Sequence, residues 1–205
     1  MRSFPMRDMR STRGRCAAPR RHAQGAVRTI LHIDIRPAVP GDEDAVVGLL
    51  SVAAAWTASI GFLNWAHRFP RNVVTRAIAA GELYVAQEDD SIVATVTLQW
   101  SDAMLWGDRE DDAGYVHRLA VRRDRAGAGL GTALVDWATQ EVRARGRDWL
   151  RLDASADNLP LCAYYEGLGF EHRGEVEGEL TGADGKVKHW RSRLYERGCN
   201  EEKRG

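Results

Sequence analysis

The chain has 205 residues and a mass of 22.8 kDa, enough for one substantial hydrophobic core and short for two. With 44% hydrophobic and 28% charged residues it has the make-up of a folded globular protein, which excludes the disordered, collagenous and fibrous classes. Basic and acidic residues balance at 29 each, yet residues 1–32 hold eight arginines against the single acid Asp8, leaving 21 basic and 28 acidic residues beyond them.

That acidic body argues against nucleic acid as the main partner and favours a cationic one. The leader carries no apolar core of the kind a secretory signal needs; it reads as a disordered tail, an artefact of an early start codon, a transit peptide or a nucleic-acid arm. Cys16, Cys162 and Cys199 form neither a CxxC nor an even framework, so a disulfide scaffold and a zinc ribbon are both unsupported. The longest apolar run, residues 45–56, is too short to span a bilayer. A cytoplasmic, membrane-free protein is expected. Only three of the 29 basic residues are lysine, a bias that suits GC-rich bacterial coding.

In chain order, residues 32–36 alternate as a short strand stopped by Pro37. Asp42 is placed to cap a helix over 45–56, and a second helix over 71–80 closes at Gly81. Strands follow at 82–87 and 91–100, the latter with Ile92, Ala94, Val96, Leu98 and Trp100 on one face in strict alternation. Residues 115–121 form a strand, 132–145 a helix, 149–153 a strand, and 159–167 a helix capped by Asn158. Strands at 170–177 and 189–196 close the chain around a turn at 181–185. The result is one α/β domain with a mixed sheet over 33–198, with tails at 1–32 and 199–205.

The chemistry concentrates where a strand, a Gly-rich turn and a helix start meet. Leu119, Ala120 and Val121 end the strand. Ala126, Gly127, Ala128, Gly129, Leu130, Gly131 and Thr132 follow. Glycines let the backbone turn tightly and present N–H groups without Cβ atoms in the way, and the helix start adds its own unpaired donors. Such a site suits a phosphate or pyrophosphate. A P-loop is excluded because no lysine precedes Thr132, and the GxGxG spacing does not fit the GxGxxG dinucleotide fingerprint.

The order and spacing of these motifs resembles the GNAT N-acetyltransferase superfamily. The correspondence covers roughly 33–196, and takes in Leu119-Ala120-Val121, the loop 126–131, the strand near 150–153, Asn158, and Tyr164-Tyr165-Glu166-Gly167-Leu168-Gly169-Phe170. The resemblance implies a mostly antiparallel central sheet flanked by helices, an acetyl-CoA site at the Gly-rich loop, and no metal. It also implies acetyl transfer by direct attack of a primary amine on the thioester. By the same resemblance, Leu119, Ala120, Val121, Ala126, Gly127, Ala128, Gly129, Leu130, Gly131, Thr132, Asn158 and Tyr165 contact acetyl-CoA, and Tyr165 is the catalytic acid. Ala126 departs from the family's usual Gln or Arg, which leaves Arg122, Arg123 and Arg125 as candidate cationic neighbours. That departure is the one hint of the alternative, a non-catalytic acyl-CoA-binding module.

His117 is the candidate general base, placed by strand alternation on the same side as Leu119; a buried, hydrogen-bonded histidine is the other reading. Glu110-Asp111-Asp112, Asp153 and Glu166 are further open cases. A catalytic Cys162 lacks an adjacent base. Tyr164 is expected to serve packing. Trp56, Trp65, Trp100 and Trp106, with Phe62, His67, Arg68 and Phe69, line an acceptor pocket for a small-molecule or peptide amine, or belong to the core. His22, His32, His67, His117, His172 and His189 show no paired ligand spacing. A monomer and a homodimer are equally compatible with the sequence.

Overall fold

The computed structural model describes residues 33–62, 69–181 and 187–200. The Arg-rich leader, Trp65, His67, Arg68, most of the expected turn at 181–185 and the last five residues lie outside the described residues.

Seven strands form one sheet: β1 (Asp34–Pro37), β2 (Leu83–Glu88), β3 (Ser91–Gln99), β4 (Ala113–Val121), β5 (Trp149–Ser155), β6 (Glu171–Thr181) and β7 (Val187–Gly198). Their order is β1-β2-β3-β4-β5-β7-β6. Every neighbouring pair is antiparallel except β4 and β5, which run parallel because a helix crosses over between them. Pro37 ends β1 instead of stopping it one residue earlier, as an outermost strand tolerates.

Among the described residues, five helices flank the sheet: α1 (Glu43–Ser59), α2 (Arg71–Ala79), α3 (Ala103–Trp106), α4 (Leu130–Ala144) and α5 (Leu159–Gly167). On α4, Leu130, Leu134, Val135, Ala138 and Val142 recur at helical spacing and bury against Val96, Leu98, Val116, Leu150 and Leu152. Each fully buried Leu or Val is worth about 1.5–3 kcal/mol, so this stripe fixes α4 to its face of the sheet. The α5 residues Cys162 and Tyr165 join the same core. On the opposite face α1 and α2 pack through Val46, Leu50, Val74 and Ala77 on Leu83, Val85 and Ala120. Central β3 is covered on both sides, so its alternating residues are nearly all buried.

Local chemistry departs from the sequence reading in three places. Asp42 does not cap α1 through its side chain; its carboxylate accepts the Val39 N–H at 2.8 Å and pairs with Arg36 at 2.7 Å, closing the 3₁₀ turn ahead of the helix. Cys199 is not in a tail but buried, with its N–H on the Asp148 carbonyl at 2.8 Å. The third departure is a bulge. β4 sets Arg118 and Leu119 against Val96 alone, between the pairs His117–Thr97 and Ala120–Thr95. Arg118 takes φ 51°, a left-handed conformation costing a non-glycine residue on the order of 1 kcal/mol. The extra residue flips the alternation. His117 and Leu119 therefore face opposite sides: His117 looks toward α3, Leu119 packs in the α4 core.

Gly114 sets the distance between α4 and β4. A Cβ there would lie 2.4 Å from Val142 Cγ2 and 3.2 Å from Leu98 Cδ1. Gly114→Ala is expected to destabilise the fold by about 1–3 kcal/mol through overpacking, read as a drop in the denaturant midpoint with an unchanged m-value.

Candidate functional site

β4 runs past its parallel partner. The β4–β5 ladder spans Ala113–Trp149 to Val116–Leu152, after which the two strands part, although β4 continues to Val121 and β5 to Ser155. The edge of residues 117–121 that faces β5 thus has backbone donors and acceptors with no strand to take them. The split opens a passage between the two faces of the sheet.

On the α4 face the passage meets the Gly-rich turn. A 3₁₀ turn (Arg123–Arg125) leads to Gly127 and Gly129 at φ 78° and 84°, values that favour glycine. Among the described residues, the N–H groups of Gly127, Gly129, Leu130, Gly131 and Thr132 find no acceptor. A Cβ at Gly127 or Gly129 would meet open space, whereas at Gly131 it would sit 2.8 Å from the Tyr164 hydroxyl. The turn is a cradle of backbone donors backed by the positive end of α4, the chemistry a pyrophosphate requires. The nearby arginines are engaged elsewhere: Arg122 with Asp124, Arg125 with Glu88, and Arg123 stacked 3.7 Å over the Trp56 ring.

Tyr165 projects from α5 into the core beside this cradle. Its ring packs on Tyr164, Phe170 and Tyr195 at centroid distances of 5.4, 5.8 and 6.3 Å. The hydroxyl makes no hydrogen bond among the described residues, and burial pushes its pKa well above the usual phenol range. It stays a protonated donor at any physiological pH. Asn158 caps α5, accepting the Leu161 N–H at 3.2 Å. Tyr164 packs on Tyr165 but is also 37% exposed, and its hydroxyl reaches across to Thr132 Oγ1 at 3.2 Å, linking α5 to the start of α4. Cys162 is buried, its Sγ directed at the Ser155 carbonyl.

On the other face the passage opens onto a polar group. Asp102 caps α3 with Oδ1, accepting the Leu105 N–H at 3.3 Å, and turns Oδ2 toward His117. His117 Nε2 lies 3.3 Å from that oxygen but off the line of a hydrogen bond, so both buried atoms lack a partner among the described residues. Thr97 Oγ1, directly across the ladder, is in the same state. Asp153 Oδ1 stands 4.0 Å from His117 Nδ1; burial raises its carboxyl pKa, partly offset by Ser192 and by His117. Three buried polar atoms without hydrogen-bond partners among the described residues thus gather at one point on this face.

The acetyltransferase (GNAT) family model matches residues 43–170. This chain belongs to the GNAT family. Among curated proteins it is 33% identical over 147 residues to the uncharacterized N-acetyltransferase YesJ of Bacillus subtilis, covering 67% of this chain and 81% of that one. It is 30% identical to the S-(2-succino)cysteine N-acetyltransferase of the same organism, covering 69% and 86%. Among solved structures, a GNAT-family acetyltransferase from Listeria monocytogenes superposes with TM-score 0.65 at 23% identity, over 81% of this chain and 94% of that one. YncA, a putative acetyltransferase from Salmonella typhimurium solved with its cofactor acetyl-CoA, gives 0.60 at 16% identity, over 82% and 95%. The chain is an acyltransferase by family, and the seven-stranded sheet with its flanking helices is the GNAT fold.

Several expectations about this GNAT site need revision. Of the acidic run, Asp111 is tied to Arg147, and Asp112 holds Arg151 at 2.8 and 3.2 Å, so both anchor the loop before β4. Glu166 accepts the Tyr195 hydroxyl at 3.0 Å. The described tryptophans do not converge on a pocket: Trp56 lies under Arg123, Trp100 under Arg145 at 4.0 Å, and Trp106 packs on Tyr115 at 6.2 Å. His117 and Asp153 remain together, and the structure adds Asp102 and Thr97. Asp102 reads in the sequence only as a turn residue, because its helix is four residues long and its partner lies on another strand. Among the described residues no group of three metal-ligating side chains gathers, and no helix is long and apolar enough to cross a membrane.

Proposed function

We propose that this protein transfers an acetyl group from acetyl-CoA to a primary amine by direct attack of the amine on the thioester. The observation that carries the reading is the passage at the β4–β5 split, with a donor cradle and a protonated phenol on one face and an orphaned His117–Asp102 pair on the other. Bound at the cradle, acetyl-CoA supplies an activated acetyl thioester. The N–H groups of Gly127, Gly129, Leu130, Gly131 and Thr132 would hold its diphosphate, and the free edge of Leu119, Ala120 and Val121 would pair with the amides of its arm. Asn158, already a cap, keeps its amide nitrogen for the same chain of contacts.

An incoming amine donates to Asp102 Oδ2, and His117 takes its proton, leaving a neutral nucleophile. Asp153, beside Nδ1, steadies the imidazolium that results. Tyr165 returns a proton to the departing thiolate; the transfer is uphill on its own, because burial holds the phenol's pKa above a thiol's, and it is drawn forward by collapse of the tetrahedral adduct to the amide. Backbone donors aimed at the developing oxyanion are worth about 3–4 kcal/mol each in related chemistry. A protein that only bound acyl-CoA would have no use for an unbonded phenol beside the cradle.

The test is thermal unfolding with acetyl-CoA, against NADH and ATP as controls. A ligand at about a hundred times its Kd stabilises the native state by about 2.7 kcal/mol, a rise of several degrees for a chain of this size. A rise with acetyl-CoA alone, followed by thiol release on adding amines, supports the reading. No rise, or an equal rise with ATP, defeats it.

A further inference from the structure

Arg118 is the residue the bulge in β4 turns around. In a regular ladder, residue 118 would face the apolar α4 core that receives Val116 and Leu119; the bulge delivers it to the other face, beside His117. The charged groups acting on it are Glu82 and Asp102, which support its charge, and Arg76 of α2, which opposes it; half-burial opposes it further. Both acids are committed elsewhere. Glu82 accepts from Gln99 Nε2 at 2.7 Å, and Asp102 caps α3.

The guanidinium group of Arg118 makes no hydrogen bond and no ion pair among the described residues. Every other buried or half-buried arginine described holds a carboxylate or a carbonyl oxygen. A half-buried guanidinium with five donors and no protein acceptor leaves them to water, and its backbone is strained as well. An anion arriving there gains the whole fork without displacing a protein partner. Arg118 adjoins His117, and the unpartnered Nε2, Asp102 Oδ2 and Thr97 Oγ1 lie buried on the same face.

We propose that Arg118 binds a carboxylate of the acceptor, which makes the acceptor an amino acid or a small amino-acid conjugate and not a simple alkylamine. The guanidinium fork matches a carboxylate in bidentate fashion. A phosphate dianion fits less well, because Glu82 and Asp102 already act on the position and oppose a second negative charge. The carboxylate on Arg118 and the amine on Asp102 and His117 together orient the nitrogen toward the split. This inference rests on the acetyl-transfer reading and adds the substrate class to it.

The test uses the full chain saturated with acetyl-CoA and the common L-amino acids, each paired with its own carboxamide, with thiol release as the readout. The acids that serve as acceptors are expected to exceed their amides by about ten- to a hundredfold in kcat/KM. R118N, which keeps a residue that tolerates the left-handed backbone, collapses that ratio to near one, chiefly through KM; R118K restores only part of it. Calorimetric titration of the best acid into the protein saturated with CoA gives a readout without turnover, and its binding is lost in R118N. The acetyl-CoA thermal shift must survive in R118N, which separates this site from the cradle. Equal use of acid and amide overturns the inference, as does a preference that persists in R118N, or the refusal of every acid while acetyl-CoA still raises the melting temperature. Absence of that rise in the wild type defeats the acetyl-transfer reading, and the inference with it.

Discussion

Tyr165→Phe is expected to lower kcat by about a hundredfold to ten-thousandfold, the usual contribution of a positioned general acid. The ring is held on three sides by Tyr164, Phe170 and Tyr195, all of which a phenylalanine still meets. The hydroxyl itself has no hydrogen-bonding partner among the described residues, so its removal gives up no native bond. The hydroxyl oxygen is not among the buried atoms left without a partner, so the variant should melt close to the wild-type temperature. Acetyl-CoA affinity should stay within about threefold, since the cradle is made of backbone donors on α4 and its preceding turn. Steady-state kinetics with a calorimetric Kd for acetyl-CoA checks all three values. An unchanged kcat would remove Tyr165 from the reaction, and a lost affinity would make it a binding residue.

His117→Ala should reduce kcat/KM by about a hundredfold, with partial recovery when free imidazole is added. The side chain stands between the two acids on this face, so its removal leaves their carboxylates without the imidazole. Asp153→Asn distinguishes catalysis from structure by moving stability and activity in opposite directions. Burial raises the Asp153 carboxyl pKa. A raised folded-state pKa contributes stability that is fully present below the unfolded carboxyl range and is lost as pH rises through the folded value. At neutral pH the ionised carboxylate is thus a net burden. Asp153→Asn should raise the melting temperature near pH 7, the gain shrinking as pH falls through the carboxyl range, while turnover drops. A lower melting temperature at neutral pH would make Asp153 a structural ion-pair partner, and full activity would free His117 of its supposed helper.

The cradle was legible in the sequence because its chemistry is local. Gly127, Gly129 and Gly131 lie within five residues, and their spacing alone implies a backbone that turns and exposes donors. Asn158 and the α5 boundaries were legible for the same reason, a cap followed by Pro160 in the first turn. The acceptor face was not. His117 was placed on the wrong side of the sheet, because period-two alternation assumes an unbroken ladder and nothing in Tyr115-Val116-His117-Arg118-Leu119 announces a bulge. Asp102, Thr97 and His117 come from three separate elements and meet only through strand register and a four-residue helix. The acidic run was legible as acid but not as ballast for Arg147 and Arg151, whose positions depend on the β4–β5 pairing.

The two faces of the sheet at the split between β4 and β5 are packed by separate hydrophobic clusters. Donor-side groups are supported by the packing of α4 and α5, and acceptor-side groups by α2, α3 and the far surface of the same strands. Neither Asp102, Thr97 nor Arg118 is hydrogen-bonded or ion-paired to the Gly-rich turn. On the acetyl-transfer reading, descent with modification can therefore rewrite one face of this scaffold while leaving the other intact, and drift on one side carries no debt on the other.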